Sequence, residues 1–157
     1  MANRLVVAVV ALLAVISALL LGQSKASIQG VWRVAEVTTS GPNASTNKSP
    51  QPGLYIFTGK HYSLVRDASR NPRIAITDSG NVTAPEALAT FGPFIAQSGT
   101  YDVRRTTVNV TPVVAKFPAS SEKYGTSTWC FKLQGDTLSM TYLIGRSATT
   151  VRLTRVE

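Results

Sequence analysis

Beyond residue 26, hydrophobic and polar positions alternate over short runs, and glycine, proline, asparagine and serine punctuate those runs. Such a period of two belongs to β-strands that bury one face. Strands are predicted at residues 28–37, 54–57, 62–66, 100–103, 107–114, 128–134, 137–144 and 149–156. Residues 38–51 are rich in Ser, Thr, Asn, Gly and Pro and read as a polar loop, and residues 70–82 read as loop with at most a short strand at 74–77. One segment departs from this rhythm. Between residues 85 and 97, Leu88, Phe91 and Ile95 recur at three- and four-residue spacing, Pro85 sits near the first helical position and Glu86 in the first turn. The spacing predicts a short helix with one face to bury, which Gly92-Pro93 can kink or end.

Turns that begin with glycine set the register of the strands they join. A two-residue type II′ turn at Gly135-Asp136 places Gln134 opposite Thr137. Counting outward pairs Leu133 with Leu138, Phe131 with Met140 and Trp129 with Tyr142, so all six large side chains share a face. Lys132, Ser139, Cys130 and Thr141 fall on the other face, and a slip of one residue would mix the two sets. The same count around Gly59-Lys60 pairs Phe57 with Tyr62 and Tyr55 with Leu64, and Arg66 follows on that face. A hairpin centred on Arg105-Thr106 would group Tyr101, Val103, Val108 and Val110, with Asp102 and Asn109 outside; it has no glycine and rests on pattern alone. Many short antiparallel strands with one inward face each form a sandwich or a closed barrel, and closure removes the exposed edges. The predicted fold is all-β, an antiparallel barrel with one short helix at 85–97.

The first 26 residues obey a different rule. Met1-Ala2-Asn3-Arg4 carries one positive charge, residues 5–21 carry none, and Ser24-Lys25-Ala26 offers small residues for cleavage before Ser27. That order is the order of a secretory signal. Residues 1–26 are therefore read as a signal helix and 27–157 as one barrel domain, secreted or periplasmic. An uncleaved anchor is the rival, since the apolar run reaches the lower edge of the roughly 17–25 residues that span a bilayer; a membrane is then met only through this segment. Arg4 and Lys25 leave with the leader, which takes the formal charge from +8 to +6. The remaining basic residues are scattered, with Arg104-Arg105 the only adjacent pair, so no nucleic-acid motif is present. Cys130 is the only cysteine, so no internal disulfide can form and stability rests on the core.

Gly30-Val31-Trp32 at the start of the first strand resembles the G-x-W signature of lipocalins and their calycin relatives. Gly53-Leu54-Tyr55-Ile56-Phe57-Thr58, Tyr62-Ser63, Arg70-Asn71-Pro72-Arg73, Pro85-Glu86-Ala87, Gly99-Thr100-Tyr101 and Leu133-Gln134-Gly135-Asp136-Thr137-Leu138 follow in the order of the bacterial lipocalin-like domain family. The resemblance covers nearly all of residues 27–157. Two departures are a turn after Phe57 shorter than the aspartate-glycine turn usual there, and the distinctive polar stretch at 38–51. The resemblance implies a barrel with a small-molecule cavity and no particular reaction. In lipocalins the motif tryptophan closes one end of the barrel and packs on a basic residue of the last strand. Trp32 matches the first partner, and Arg152 or Arg155 the second.

The chemical inventory narrows the function classes. His61 is the only histidine, so neither a His/Cys metal cluster nor a Cys–His pair at local spacing can be assembled. Counting alone leaves a Ser-His-Asp triad open, but there is no nucleophile-elbow motif, phosphate loop or dinucleotide fingerprint. No metal and no cofactor are expected. Tyr55, Tyr62, Tyr101, Trp129 and Tyr142 are predicted to point inward, where they either line a pocket for a planar ligand or fill the lumen themselves. Arg66 shares that face, where it either meets a ligand carboxylate or phosphate or reaches solvent at a barrel mouth. The leading expectation is a binding protein for a small hydrophobic or aromatic molecule. The alternatives are an isomerase, cyclase or hydrolase on the same fold, and a surface interaction module with a filled core. Asn43, Asn81 and Asn109 each open an N-x-S/T triplet, which matters only in a eukaryotic secretory pathway.

Overall fold

The computed structural model describes residues 27–73, 75–77, 80–117 and 125–157, and the leading segment read as a signal helix lies outside them. Among the described residues the elements run β1 (Gly30–Ser40), β2 (Ser45–Asn47), β3 (Gly53–Phe57), β4 (His61–Asp67), α1 (Ala84–Phe91), β5 (Phe94–Arg104), β6 (Thr107–Ala115), β7 (Ser127–Gln134), β8 (Thr137–Ile144) and β9 (Ser147–Arg155). From β3 to β9 each strand pairs antiparallel with the next, and β1 pairs with both β3 and β9. Eight strands thus close a barrel, a shape compatible with a lipocalin-like fold. The three-residue β2 falls within the stretch predicted as loop and folds back onto the far half of β1, with Val37 opposite Asn47. Barrel, core and both ends are contained in residues 27–157.

The registers follow from alternation and turn chemistry. Leu133 faces Leu138 and Phe131 faces Met140 across β7–β8, and Gly135 takes φ +54 as the first residue of the turn. Phe57 faces Tyr62 and Tyr55 faces Leu64 across β3–β4. Tyr101 faces Val110 and Asp102 faces Asn109 across β5–β6, where Arg105, at φ +49, adopts the left-handed conformation that glycine would supply more cheaply. Cys130 and His61 are exposed on outward faces, as alternation requires. A bulge between Val34 and Glu36 shifts the parity of β1, so Trp32, Val34 and then Val37 face the core. The bulge lets the first half of β1 pair with β3 while its second half leaves that edge to β2.

The helix is shorter than its spacing suggests and does not bury the predicted face. A capping box starts it: the Thr83 hydroxyl accepts from the Glu86 N–H, and the Glu86 carboxylate accepts from the Thr83 N–H. It ends at Phe91, with Gly92 still in helical backbone and its N–H on the Leu88 carbonyl at 2.8 Å, because Pro93 has no N–H to continue the ladder. Ile95 consequently lies on β5 opposite Arg66, while Leu88 and Phe91 are exposed and only Thr90 is buried. Of the short strand allowed at 74–77, Ile74 lies outside the described residues and Ala75–Thr77 are not in a strand.

Strand direction gives the barrel two unlike ends. The two-residue turns Gly59-Lys60, Arg105-Thr106 and Gly135-Asp136 gather at one end with both boundaries of the described chain. The strand ends at Ser40, Asp67 and Ala115, from which the long connections leave, gather at the other, with the Gly145-Arg146 turn. At the first end Trp32 is wholly buried, and its Nε1 donates to the Ile28 carbonyl at 2.7 Å. The Arg155 guanidinium lies 4.1 Å from the centre of the Trp32 ring, where the ring quadrupole attracts it. It also donates to the carbonyls of Gln29 (2.8 Å) and Ser27 (3.1 Å). Arg155 is therefore the basic partner of the tryptophan, and Arg152 instead pairs with Glu36 at 3.0 Å. Gly30, at φ +129, is required at this crossing because a Cβ would strike the Glu157 carbonyl and the Arg155 side chain.

Candidate functional site

The long-loop end holds the feature that the rest of the core does not account for. Arg66 is 8% exposed and lies on the inward face of β4, opposite Gly53. A Cβ at Gly53 would come within 2.6 Å of the Arg66 Cβ and 2.8 Å of the Val34 Cγ2, so glycine keeps this space open for the arginine. Arg66 Nη2 donates to the Tyr142 hydroxyl at 3.0 Å, and its Nε is buried with no hydrogen-bond partner. Among the described residues no carboxylate forms an ion pair with it: the adjacent Asp67, on the opposite face of β4, takes Arg73 at 2.6 Å. A guanidinium cannot shed its charge in a protein. Burying an ion without a counter-charge costs several kcal/mol, so this cation stands in an arrangement that an anion would complete.

The space before Arg66 has room for such an anion. A cavity of about 480 Å³ is floored by Tyr55, Leu64, Arg66, Trp129 and Tyr142, with Ile95, Gln97, Phe117, Leu143 and Ile144 toward its rim. Ligand sites usually measure roughly 300–1,000 Å³ with mostly apolar walls and a few convergent polar groups. The aromatic side chains are held by one another. Trp129 lies 5.9 Å from Tyr142 and meets Tyr62 edge to face at 6.0 Å. Arg66 also borders a second cavity of about 720 Å³ with a more polar wall between β1, β2 and the start of the 68–93 connection.

Electrostatics make these phenols donors. Burial pushes the Tyr55 and Tyr142 hydroxyls up from the ordinary tyrosine value, against an opposing pull from Arg66. Burial also raises Tyr62 and Tyr101. All four remain protonated at neutral pH. Since the Tyr142 oxygen accepts from Arg66, its own proton is free to point at a bound anion, and the two groups present a cation and a donor side by side.

Of the residues singled out from the sequence, Tyr55, Arg66, Trp129 and Tyr142 are brought together in one cavity. Tyr62 lies buried beside it with its hydroxyl unpaired, packed against Trp129 rather than lining the space. Tyr101 belongs to the other end: its ring packs on Phe57 and its hydroxyl donates to the Thr58 carbonyl. Ile95 was hidden from the sequence reading by the helical spacing of 88, 91 and 95. Ile144 was within reach, because extending the Gly135 register two residues beyond Tyr142 places it on the inward side. Phe117 and Gln97 carry no such signal.

Neither a family model nor a curated protein matches the chain. Among solved structures it is similar to an uncharacterized protein from Bacteroides eggerthii, at 12% identity and a TM-score of 0.43, over 80% of this chain and 98% of that one.

Proposed function

We propose that this chain is an exported lipocalin-like protein that binds a small molecule with a hydrophobic or aromatic body and one anionic group. The buried Arg66, with an unpaired Nε and no ion-pair partner among the described residues, carries this reading. The ligand's carboxylate, sulfonate or phosphate meets the Arg66 guanidinium and the Tyr142 hydroxyl, and its body packs between Trp129, Tyr55 and Leu64. The inward phenols are raised in pKa, so they suit hydrogen-bond donation better than proton abstraction. Binding needs no cofactor. The resemblance of Gly30-Val31-Trp32 to the lipocalin signature, together with the packing of Arg155 on Trp32, supports the family assignment.

Two dyes with one aromatic skeleton test the anion. Anilinonaphthalene sulfonate carries a negative charge and phenylnaphthylamine carries none, and either one seated in the cavity quenches Trp129 fluorescence. A charge-assisted hydrogen bond contributes about 1.5–3 kcal/mol, so Arg66→Met is expected to weaken the sulfonate roughly 10- to 100-fold and leave the neutral dye within about twofold. Equal loss of both dyes, or no loss of the sulfonate, would remove the basis of the proposal.

A further inference from the structure

The exposed apolar side chains are not spread evenly over this barrel. Leu88, Phe91, Val113, Val114, Phe117, Leu143 and Ile144 all lie at the long-loop end, and they include the most exposed large hydrophobics among the described residues, with Leu143 at 78% and Leu88 at 73%. Elsewhere among the described residues, Ile56, Val103 and Val156 lie toward the closed end and Leu54 and Val65 on the outer wall of β3–β4, each 54% exposed or less. Part of the set forms a continuous rim. Phe117, Leu143 and Ile144 all line the mouth of the cavity that Arg66 floors. Lys116 donates to the carbonyls of Phe91 and Gly92 while its ammonium lies 4.9 Å from the centre of the Phe117 ring, so the helix end is tied to the same rim. Leu88 sits one helical turn before Phe91.

Charge distinguishes the partners this rim could meet. Arg146 is exposed at its hairpin tip, and Lys48 and Arg70 are exposed on the neighbouring cavity that Arg66 also borders, none of the three in a hydrogen bond or ion pair. Its described carboxylates are already engaged, Asp67 by Arg73 and Ser69, and Glu86 by the Thr83 cap. The Leu143-Ile144-Gly145-Arg146 hairpin tip puts two bare aliphatic side chains beside a cation on a two-residue turn. Aliphatic tips among unpaired cations match the surface of an anionic bilayer, where the tips enter the hydrocarbon boundary and the cations meet headgroups.

We propose that the open end docks on anionic membranes, so that the cavity mouth faces the lipid interface and exchanges its amphiphilic ligand there. This contact is separate from the apolar leader and would survive its removal. It also goes beyond the binding reading, because docking is measured with no ligand present.

The test is flotation of the chain beginning at Ser27, which contains the whole barrel, with vesicles of phosphatidylglycerol and phosphatidylcholine or of phosphatidylcholine alone. Wild-type protein is expected to float with the anionic vesicles, less so as salt rises, and to stay behind with the zwitterionic ones. Neither Leu88 nor Arg146 lines the cavity floored by Arg66, so the double variant Leu88→Asp/Arg146→Glu keeps the fold and the sulfonate dye. Its vesicle binding is expected to fall roughly tenfold or more. Arg66→Met is expected to do the reverse, losing the dye while floating as wild type. Failure of the wild type to float, equal binding to both vesicle types, an unaffected double variant, or rim-dependent self-association in place of vesicle binding would each overturn the docking proposal. The dye experiment stands or falls independently of these results.

Discussion

The two ends of this barrel use the same kinds of residue to opposite effect. At the closed end an arginine, Arg155, lies on an aromatic ring and spends its donors on the carbonyls of Gln29 and Ser27. At the open end Arg66 is buried against Tyr142, holds one hydrogen bond and leaves its Nε unpaired. Glycines divide in the same way. Gly30 lets the first strand pass close to the chain's last residues, whereas Gly53 keeps a space that a methyl group would fill. The difference separates structure from function: the satisfied end gives the fold its rigidity, and the unsatisfied end holds the free energy with which a ligand can be bound.

Removing the closed-end plug should have the largest effect. Trp32→Ala deletes a wholly buried indole and its hydrogen bond, and is expected to cost about 3–5 kcal/mol in urea unfolding. If it proves nearly neutral, the closed end is not the stable half. The open-end counterpart should run the other way. Arg66→Met removes an uncompensated charge from the core and is expected to leave stability unchanged or raise it by about 1 kcal/mol, while dye binding collapses. A destabilisation of about 2 kcal/mol or more would mean that the guanidinium serves the fold, and the contrast would fail.

Acid should produce the smallest effect and a local one. Burial alone would raise the Asp67 carboxyl, but the Ser69 hydroxyl and N–H, together with Arg73, outweigh it and hold the carboxyl below the usual range. The two hydrogen bonds from Thr83 likewise lower Glu86. For such depressed groups the stabilisation is fully present above the unfolded carboxylate value of about 4 and is lost as pH falls through the folded value. Both groups lie at the open end; at the closed end Arg155 also meets the exposed Asp136 at 3.3 Å, but its bonds to the Gln29 and Ser27 carbonyls do not titrate. Between pH 5 and pH 3, amide protection factors relative to the intrinsic exchange rate are therefore expected to fall across residues 84–91 and the 68–73 segment before they fall across 129–141. A uniform loss of protection would contradict the division.

Most of the wall was legible in the chain, because a two-residue period and glycine-led turns are local. The Gly135-Asp136 and Gly59-Lys60 turns determine which of Tyr55, Phe57, Tyr62, Leu64, Phe131 and Met140 face each other, and the structure has those pairs. The helix misled for a reason that is also local. Leu88, Phe91 and Ile95 satisfy a helical spacing that Pro93 cuts, so the last of them becomes a strand residue and the first two stay outside. Tyr101 shows a different gap. Its inward orientation was readable, but its place along the barrel axis, at the closed end, depends on how far β5 extends toward the open end before it.

What the sequence determined by itself was the alternation of faces, the turns that hold them in register and hence an antiparallel barrel with Arg66 turned inward. Only the tertiary structure decided that Arg155 rather than Arg152 meets Trp32, that Arg66 has no counter-ion among the described residues, and that four of the six candidate residues share one cavity. The physical reason is distance along the chain. Orientation follows from neighbours two residues away, whereas the partner of a charge and the emptiness in front of it depend on strands brought together from across the whole barrel.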